Sequence, residues 1–480
     1  MRHGALLFAA AAIALAPAAA QPVRSLDPRD IAEAQRDHAA LVQELGGAET
    51  GPRAAYVESV GRKVGAFSRI AAPGQALHYT TLNSAVENAF SVPGGYVYVT
   101  RQLLTIMDDE SELAFALGHE TGHIAANHAH AREQYANRNP LGVFGQILGA
   151  VFGGAIGNVL SARAALDTLS FSRDQEYQAD TLGLSYMMSA GYDPQGAANL
   201  LGSLSRSTAL EARLQGRRNR QTPEWASTHP LSENRMQRAL AEARATGRNG
   251  KGIRNRDEFL REIDGMYVDD DPQQGVIDGP LFTHPDLRVQ FQVPVGYLMA
   301  NGARAVTISG SAGKAQFRQG PPNLDQAILY AFRELTEGQI QLQIPQPQRT
   351  MVNGMPAAFT TAHVTTQSGV TDASVFAYQW DSSRVYYFVM LTPGGYGIQP
   401  FATMVNSLRR ITPQEAAAIR PRVMRIVTVA PGDTVQSLAG RMAYRDYKVD
   451  RFLSLNGLAP NARLVPGQKL KLVIFGQRRA

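Results

Sequence analysis

The hydrophobic pattern predicts an α+β multidomain protein, because its period changes twice along the 480-residue chain. Residues 27–247 have mostly helical spacing with a few short alternating runs, which predicts a mainly helical domain with a small β-sheet. Residues 256–412 mainly alternate apolar and polar side chains, like the half-covered strands of an antiparallel sheet. Residues 424–474 form a short segment whose pattern predicts a strand, two helices and a second strand. We therefore expect a helical domain, an α+β antiparallel-sheet domain and a small third domain, in that order.

The composition is that of a globular protein. Hydrophobic residues make up 44% and charged residues 18% of the chain, which excludes a largely disordered protein. The formal net charge of +6 is modest for this length. We expect the basic stretch from Arg213 to Arg220 to be a solvated loop, with contact to an anionic envelope surface as the alternative. The sequence contains no nucleic-acid motif, so we expect no nucleic-acid partner.

The first 20 residues have the pattern of a secretory signal peptide. Arg2 and His3 precede an apolar core at residues 5–16, and small residues at 18–20 suit a cleavage site. The core is too short to span a bilayer comfortably, although an uncleaved anchor is the alternative. The chain has no cysteine, and therefore neither a lipidation site nor a disulfide framework. We expect residues 1–20 to direct export to the periplasm, and the protein not to be a lipoprotein.

A metal-binding pattern follows Asp109, where Glu112 three residues later indicates the start of a helix. The pentad His119–His123 lies within this predicted helix. Residues four apart differ by about 40° around a helix and about 6 Å along it, so both imidazoles leave from one face. Two histidines at this spacing can hold Zn²⁺, and the adjacent Glu120 can take a proton from water. The alternative is an amphipathic helix with two exposed histidines.

A third ligand is expected downstream. Glu176 and Asp180 lie four residues apart in another helical run that ends at Gly191. Glu176 could complete a three-ligand set, and Asp180 could accept the free N–H of a ligating histidine. A solvated helix face is the alternative for both carboxylates.

Together these segments resemble a known peptidase family. The pentad, the spacing of Glu176 and Asp180, and the segment from Asn88 to Thr100 are similar to CAAX prenyl protease-type (HtpX/BepA-like) zinc metallopeptidases of the gluzincin type. The resemblance covers residues 28–245. It implies one Zn²⁺ per chain with three protein ligands, which are His119, His123 and Glu176. It also implies two catalytic carboxylates, Glu120 as general base and Asp180 as the group that orients a ligating histidine.

The same resemblance implies how a substrate is held. An edge strand beside the zinc pairs with an extended substrate backbone, which here points to Asn88 and Ala89. Residues 227–235 resemble a His-Pro…Arg segment of the family. His229 either stabilises the oxyanion of the tetrahedral intermediate or binds zinc as a displaceable fourth ligand in a latent state. Arg235 either binds substrate carbonyls or braces the loop.

Two further histidines follow the pentad, at His128 and His130. On a continuous helix His130 would lie about 16 Å along the axis from His119, too far to share a metal. The two side chains would also point apart. We therefore expect surface positions for both.

Residues 141–160 carry no charge and have glycine at every fourth position from Gly145 to Gly157. This spacing lets helix backbones approach closely. A single membrane crossing would separate Glu176 from His119 and His123, so the zinc hypothesis excludes it. We expect protein cover near the site, with peripheral membrane contact as the alternative.

The remaining two domains have different expectations. The α+β domain has no cluster of metal ligands and no assigned role; its predicted strands are 289–293, 305–308, 357–364, 375–380 and 385–391. The segment 424–474, with its Pro431-Gly432-Asp433-Thr434 turn and later Asn456-Gly457-Leu458, resembles a LysM module. That resemblance implies contact with the glycan of peptidoglycan. A LysM-like fold that binds no glycan is the alternative.

These observations favour a periplasmic zinc-dependent endopeptidase that cleaves misfolded or stalled envelope proteins and is tethered to peptidoglycan. Its expected partners are unfolded or misassembled envelope proteins. One alternative is a latent, zinc-bound chaperone or scaffold for such proteins. Another is a peptidoglycan hydrolase, which ranks below the others because the zinc pattern is that of protein peptidases.

Overall fold

The computed structural model describes residues 23–129, 171–214, 229, 233–302, 304–335, 343–366 and 369–478. The predicted signal peptide at 1–20 and the glycine-rich segment at 141–160 lie outside the described residues. His130 and residues 215–220 of the basic stretch lie outside them as well. Among the helices that are described, none is both long enough and apolar enough to cross a membrane.

The first part of the chain is mainly helical, as expected. Its helices are α1 (Pro28–Glu44), α2 (Pro52–Gly65), α3 (Pro73–Ala76), α4 (Arg101–Ile106), α5 (Glu110–Ala125), α6 (Arg173–Ser189), α7 (Gln195–Leu214), α8 (Glu233–Ala245) and α9 (Arg256–Ile263). Side-chain caps explain where several of them begin. The Asp27 carboxylate accepts a hydrogen bond from the Arg29 N–H at the start of α1. The Asp109 carboxylate accepts from the N–H groups of Ser111 and Glu112 at the start of α5.

A three-stranded sheet contacts α5. Its strands in spatial order are β1 (His78–Leu82), β3 (Tyr96–Thr100) and β2 (Ala89–Val92). Strand β1 runs parallel to β3, and β2 runs antiparallel to it. The turn between β2 and β3 contains Gly94 and Gly95, whose φ angles of 90° and 96° lie in the left-handed region. A Cβ on Gly95 would lie 1.8 Å from the Ala76 carbonyl oxygen, so the turn requires glycine there.

Helices α5 and α6 cross at a glycine. A Cβ on Gly183 of α6 would lie 2.7 Å from the backbone nitrogen of His119, closer than side chains can approach. Without a side chain at this position the two backbones can pack closely, and the side chains beside the crossing can converge. Helix α6 begins with a capping box between Ser172 and Gln175, which places Glu176 in its first turn.

The central part of the chain is built from antiparallel strands packed with short helices. The strands are β4 (Tyr267–Val268), β5 (Val276–Asp278), β6 (Leu281–His284), β7 (Val289–Gln292), β8 (Leu298–Asn301), β9 (Val306–Gly310), β10 (Gly313–Gly320), β11 (Gln348–Val352), β12 (Met355–Thr366), β13 (Gly369–Gln379), β14 (Val385–Pro393) and β15 (Arg409–Arg410). The helices are α10 (Leu324–Leu335), α11 (Ala402–Ser407), α12 (Pro413–Ala417) and a 3₁₀ turn at Gln399–Phe401.

These strands form two main sheets. One has seven strands in the order β11-β12-β13-β14-β10-β9-β8, and the other has four in the order β15-β7-β6-β5. Helix α10 packs against β12, β13 and β14 of the larger sheet. The predicted strands are present, but the prediction missed β4, β5, β6, β8, β10, β11 and β15. The side chains of β5, β8 and β11 are mostly half-buried or exposed, so these strands lack the alternation that reveals a strand.

The last part of the chain has the expected strand, helix, helix and strand order. Its elements are β16 (Arg422–Thr428), α13 (Val435–Gly440), α14 (Lys448–Leu455) and β17 (Lys469–Phe475). Strand β16 pairs with β17 on one side and with β4 on the other. Buried Leu438, Phe452 and Leu472 belong to the same hydrophobic core as Leu113 of α5 and Leu204 of α7. The third unit therefore packs directly on the helical first part.

One lysine of this last part is buried in the first. The side chain of Lys471 on β17 is 0% exposed. Its Nζ donates hydrogen bonds to the carbonyls of Thr105, at 3.0 Å, and Met107, at 2.7 Å. It also lies 3.1 Å from Oδ1 of Asp108. These contacts join β17 to the segment that immediately precedes α5.

Candidate metal centre

Four donor side chains from separate parts of the chain converge in the protein interior. His119 and His123 lie on α5, Glu176 lies in the first turn of α6, and His229 lies just before α8. One donor atom from each lies within 4.8 Å of the others, and all four side chains are buried. The His119 and His123 Nε2 atoms are 3.0 Å apart, and the Glu176 carboxylate lies 3.6 Å from each of them. The structure thus brings together the three predicted ligands and His229, which the sequence suggested either as an oxyanion stabiliser or as a displaceable fourth ligand.

This donor set fits one zinc ion. Ligand bonds of about 2.0–2.2 Å put the donors of a tetrahedral zinc site about 3.3–3.6 Å apart. The separations of 3.0–3.6 Å between the donors of His119, His123 and Glu176 are close to that spacing. Two imidazoles and a carboxylate are a ligand set of catalytic zinc sites, which keep a further position open. His229 Nδ1 lies 3.3 Å from His119 Nε2 and 3.0 Å from Glu176 Oε1, where a fourth ligand would lie.

Glu120 faces the same centre from α5 without being one of the four donors. Its side chain is fully buried, and its Oε1 lies 3.4 Å from His229 Nε2. Ser91 of β2 donates a hydrogen bond of 3.0 Å to Glu120 Oε2. Sequence reasoning missed Ser91, although its place two residues after Ala89 puts both side chains on one face of the strand. The hydroxyl holds the carboxylate in place beside the donor cluster.

Asp180 and Arg235 contact the metal donors His119 and Glu176 without belonging to the donor set. Asp180 Oδ1 lies 3.0 Å from His119 Nδ1, so an N–H at Nδ1 leaves the Nε2 lone pair directed at the centre. Arg235 of α8 donates to both carboxylate oxygens of Asp180, and its Nη1 lies 2.6 Å from Glu176 Oε2. Because Arg235 is 2% exposed, this geometry favours the bracing role over contact with substrate carbonyls.

Burial and neighbouring charges set the protonation of the donors. Burial lowers the pKa of His123 well below its ordinary value, which favours the neutral imidazole that a metal requires. Burial alone would raise the pKa of Glu176, but His229 and Arg235 outweigh it and lower that pKa, so the carboxylate remains ionised. Burial alone would lower the pKa of His229, but the charges of Glu176 and Glu120 raise it. His123 therefore offers a neutral nitrogen and Glu176 an anionic oxygen to a cation, whereas the two carboxylates favour a proton on His229 when no metal is bound.

Strand β2 lies at an edge of its sheet, beside the donor cluster. The Thr100 N–H donates to the Asn88 carbonyl, so Asn88 and every second residue after it direct their backbone groups toward β3. Ala89 and Ser91 therefore direct theirs toward the opposite edge. Asn88 and Ala89 are both buried. Of the two residues expected to pair with a substrate backbone, Ala89 has the suitable orientation, whereas the backbone of Asn88 is already paired.

The structure contradicts the expected surface position of His128. Helix α5 ends at Ala125, and Asn127 has a φ of 59°, so a turn breaks the helix before residues 128–129 become helical again. His128 is 3% exposed, and its Nδ1 lies 2.9 Å from Nδ1 of His123. The surface prediction was wrong because it assumed that the helix continued past Asn127.

Comparisons with known proteins agree with this geometry. Residues 52–243 match the sequence model of Peptidase family M48, and residues 427–473 match that of the LysM domain. The chain is 32% identical over 192 residues to the Beta-barrel assembly-enhancing protease of Yersinia pestis. The aligned segment covers 38% of this chain and 37% of that protein. The protein of the same name from Escherichia coli (strain K12) is 31% identical over the same shares.

A eukaryotic relative matches the same region. The Mitochondrial metalloendopeptidase OMA1 of Schizosaccharomyces pombe is 30% identical over 187 residues, which cover 39% of this chain and 52% of that protein. The matches to these relatives thus span between about a third and a half of their length. Both family assignments fall on the parts of the chain that hold the donor cluster and the strand, helix, helix and strand unit. The chain therefore contains a segment that matches peptidase family M48 and holds the donor cluster, followed by a segment that matches the LysM domain.

Proposed function

We propose that this protein is a zinc-dependent endopeptidase of the bacterial periplasm that cleaves misfolded or stalled envelope proteins. The observation that carries the proposal is the convergence of His119, His123 and Glu176 with Glu120 beside them. We assign residues 27–247 to the peptidase domain, 256–412 to a domain of unassigned role and 424–474 to the LysM domain. In this assignment residues 1–20 direct export.

Each residue of the site has a defined task in peptide hydrolysis. A zinc ion held by His119, His123 and Glu176 would polarise the scissile carbonyl and make the attacking water more acidic. Glu120, held by the Ser91 hydroxyl, accepts the proton of that water and passes it to the leaving amine. Asp180 keeps His119 in the tautomer whose Nε2 lone pair faces the centre.

An extended peptide is the substrate form that suits the strand beside the site. The outward backbone groups of Ala89 and Ser91 can pair with a peptide that lies along β2. Pairing through the backbone is largely independent of side chains, so it accepts many sequences but requires an unfolded segment. This requirement favours misfolded or unassembled proteins as substrates, and the LysM domain favours peptidoglycan as the place where they are met.

The test of the proposal is Glu120→Gln, which removes the proton acceptor and leaves the metal ligands intact. We expect the variant to keep one zinc per chain and to cleave unfolded casein about 10²–10⁴-fold more slowly than wild type. Glu58→Gln is a matched control, because Glu58 forms only a surface pair with Arg62 on α2. Casein cleavage by Glu120→Gln at the wild-type rate would refute the role of Glu120. Digestion of purified sacculi but not of casein by wild type would favour the peptidoglycan hydrolase.

We further propose that His229 is the fourth metal ligand of a latent state. Its Nδ1 lies among the three other donors, in the position that an attacking water needs. His229→Ala should then raise casein cleavage roughly tenfold. This factor corresponds to a free-energy preference of about 1.4 kcal/mol for the latent state in which His229 binds the metal. Zinc content should remain at one per chain. A loss of cleavage with unchanged zinc content would instead assign His229 to the stabilisation of the oxyanion.

A further inference from the structure

The ring of His128 lies outside the donor cluster but contacts one of its members. His128 Nδ1 is 2.9 Å from His123 Nδ1, and His128 Nε2 is 3.0 Å from Oε1 of Gln178. The two imidazoles meet edge to face, with ring centroids 4.9 Å apart and planes at 74°. Gln178 lies on α6, two residues after Glu176. This hydrogen-bonded chain therefore joins the end of α5 to the helix that carries the third donor.

The positions of the protons along this chain follow from its two ends. His123 Nε2 faces the donor cluster, 3.6 Å from Glu176 Oε1, so it keeps its lone pair for a metal and the neutral ring carries its proton on Nδ1. That N–H donates to Nδ1 of His128, which is therefore unprotonated. His128 carries its own proton on Nε2 and donates it to the amide oxygen of Gln178, which can only accept.

We propose that His128 is a positioning residue for the metal ligand His123, and that Gln178 holds His128 in the tautomer this role needs. Hydrogen-bond acceptors behind a ligating imidazole hold its orientation and raise its basicity. Asp180 performs the same task for His119. The inference rests on the zinc site of the proposed function, because it requires His123 to bind the metal.

Other contacts hold His128 in this position. Its backbone carbonyl accepts a hydrogen bond of 3.4 Å from Nε2 of Gln175. Phe171 stacks on the ring of His123, with centroids 3.8 Å apart and planes at 24°, and its ring also contacts that of His128, with centroids 5.9 Å apart. The left-handed conformation of Asn127 turns the chain toward His123. The turn is therefore packed against α6 and the metal ligand on several sides.

The experiment compares zinc affinity in the full chain, by competition with a chromogenic chelator, for wild type and four variants. His128→Leu removes the acceptor and should weaken zinc binding about 10–100-fold. Gln178→Leu should weaken it in the same direction. His128→Asn should restore most of the affinity, because its Oδ1 occupies about the place of the lost Nδ1. Glu58→Gln serves again as the control, because it changes a surface pair with Arg62 on α2 away from the metal site, and it should bind zinc like wild type.

A second readout separates positioning from general structural support. In cobalt-loaded protein, the visible absorption bands should shift in His128→Leu and return toward wild type in His128→Asn, while the melting temperatures of the metal-free forms report folding. Wild-type zinc affinity in His128→Leu would overturn the inference, as would equal weakening in His128→Leu and His128→Asn. If wild type binds no zinc, the proposed function fails with it. If wild type binds zinc and cleaves casein while His128→Leu has unchanged affinity, only the role of His128 fails.

Discussion

At the scale of single residues, Asp270 is a buried carboxylate whose proton affinity differs from that in the unfolded chain. Asp270 is 8% exposed. It accepts hydrogen bonds from the Ile277 N–H at 2.8 Å and from the Asn301 amide at 3.2 Å. Burial raises the pKa of Asp270 to about 6 from an ordinary 3.8. The folded state therefore binds this proton more tightly than the unfolded state. The stabilisation of the folded state by this proton is complete below about pH 4 and is lost as the pH rises through about 6.

Asp270→Asn should remove this part of the pH dependence, because the amide does not titrate. A shift of two pKa units corresponds to about 3 kcal/mol. Between pH 4 and pH 7 the free energy of unfolding of wild type should therefore fall by roughly that amount relative to the variant. Urea denaturation of both proteins across this range measures the difference. A difference that stays constant with pH would contradict the assignment.

At the scale of secondary-structure elements, the α5–α6 crossing sets the geometry of the metal site. The two histidines depend only on the helical spacing within α5, but Glu176 reaches them only if α6 lies close to α5. Gly183 permits this approach, because a Cβ there would lie 2.7 Å from the backbone nitrogen of His119. The glycine thus contributes to the geometry of the site, although it is not a metal donor and lies about two helical turns after Glu176 on α6.

Gly183→Ala should push α6 away from α5 and draw Glu176 from the donor cluster. We expect a loss of about 1–3 kcal/mol in the free energy of unfolding from overpacking, together with weaker zinc binding. Gly202→Ala on α7 is the matched control, because the nearest side-chain atom would lie 3.4 Å from its Cβ. That control should be neutral or more stable by up to about 1 kcal/mol, since alanine favours a helix. Equal stability and equal zinc affinity in the two variants would refute this account of the crossing.

At the scale of the whole molecule, the LysM domain and the peptidase domain share one hydrophobic core. Strand β4, which follows α9, extends the LysM sheet through its pairing with β16. Arg101 of α4 is 0% exposed and donates to the carbonyls of Tyr267 in β4 and of Asp269 directly after it. Contact with glycan would therefore fix the position of the peptidase site as well, because the two domains are packed together.

Lys471→Met should destabilise both domains together. The substitution leaves Asp108 and the carbonyls of Thr105 and Met107 without the ammonium group that contacts them, which should cost about 3 kcal/mol. Lys469→Met, two residues earlier, removes an ion pair with Asp257, whose side chain is 72% exposed. This change should cost less than about 1 kcal/mol. Guanidinium denaturation followed by separate probes in each domain should show one shared transition. Two transitions, with only the LysM domain destabilised, would show that the domains fold independently.

Sequence patterns were sufficient for the parts of this protein that depend on local chemistry. Asp109 and Ser172 cap helices, the pentad directs two histidines to one face of α5, and alternating runs mark most strands. These features depend on neighbours within a few residues, so a single sequence reveals them. The choice of Glu176 as third ligand needed the additional resemblance to a peptidase family.

The remaining features depend on contacts between distant segments, which local patterns do not contain. The left-handed turn at Asn127 directs His128 to His123, and pairing of β2 with β3 directs Ser91 to Glu120. Burial of the Lys471 ammonium group against the segment before α5 joins the LysM and peptidase domains. The helical period and strand alternation predicted the separate elements, whereas close packing of α5, α6 and β2 decided which side chains surround the metal site.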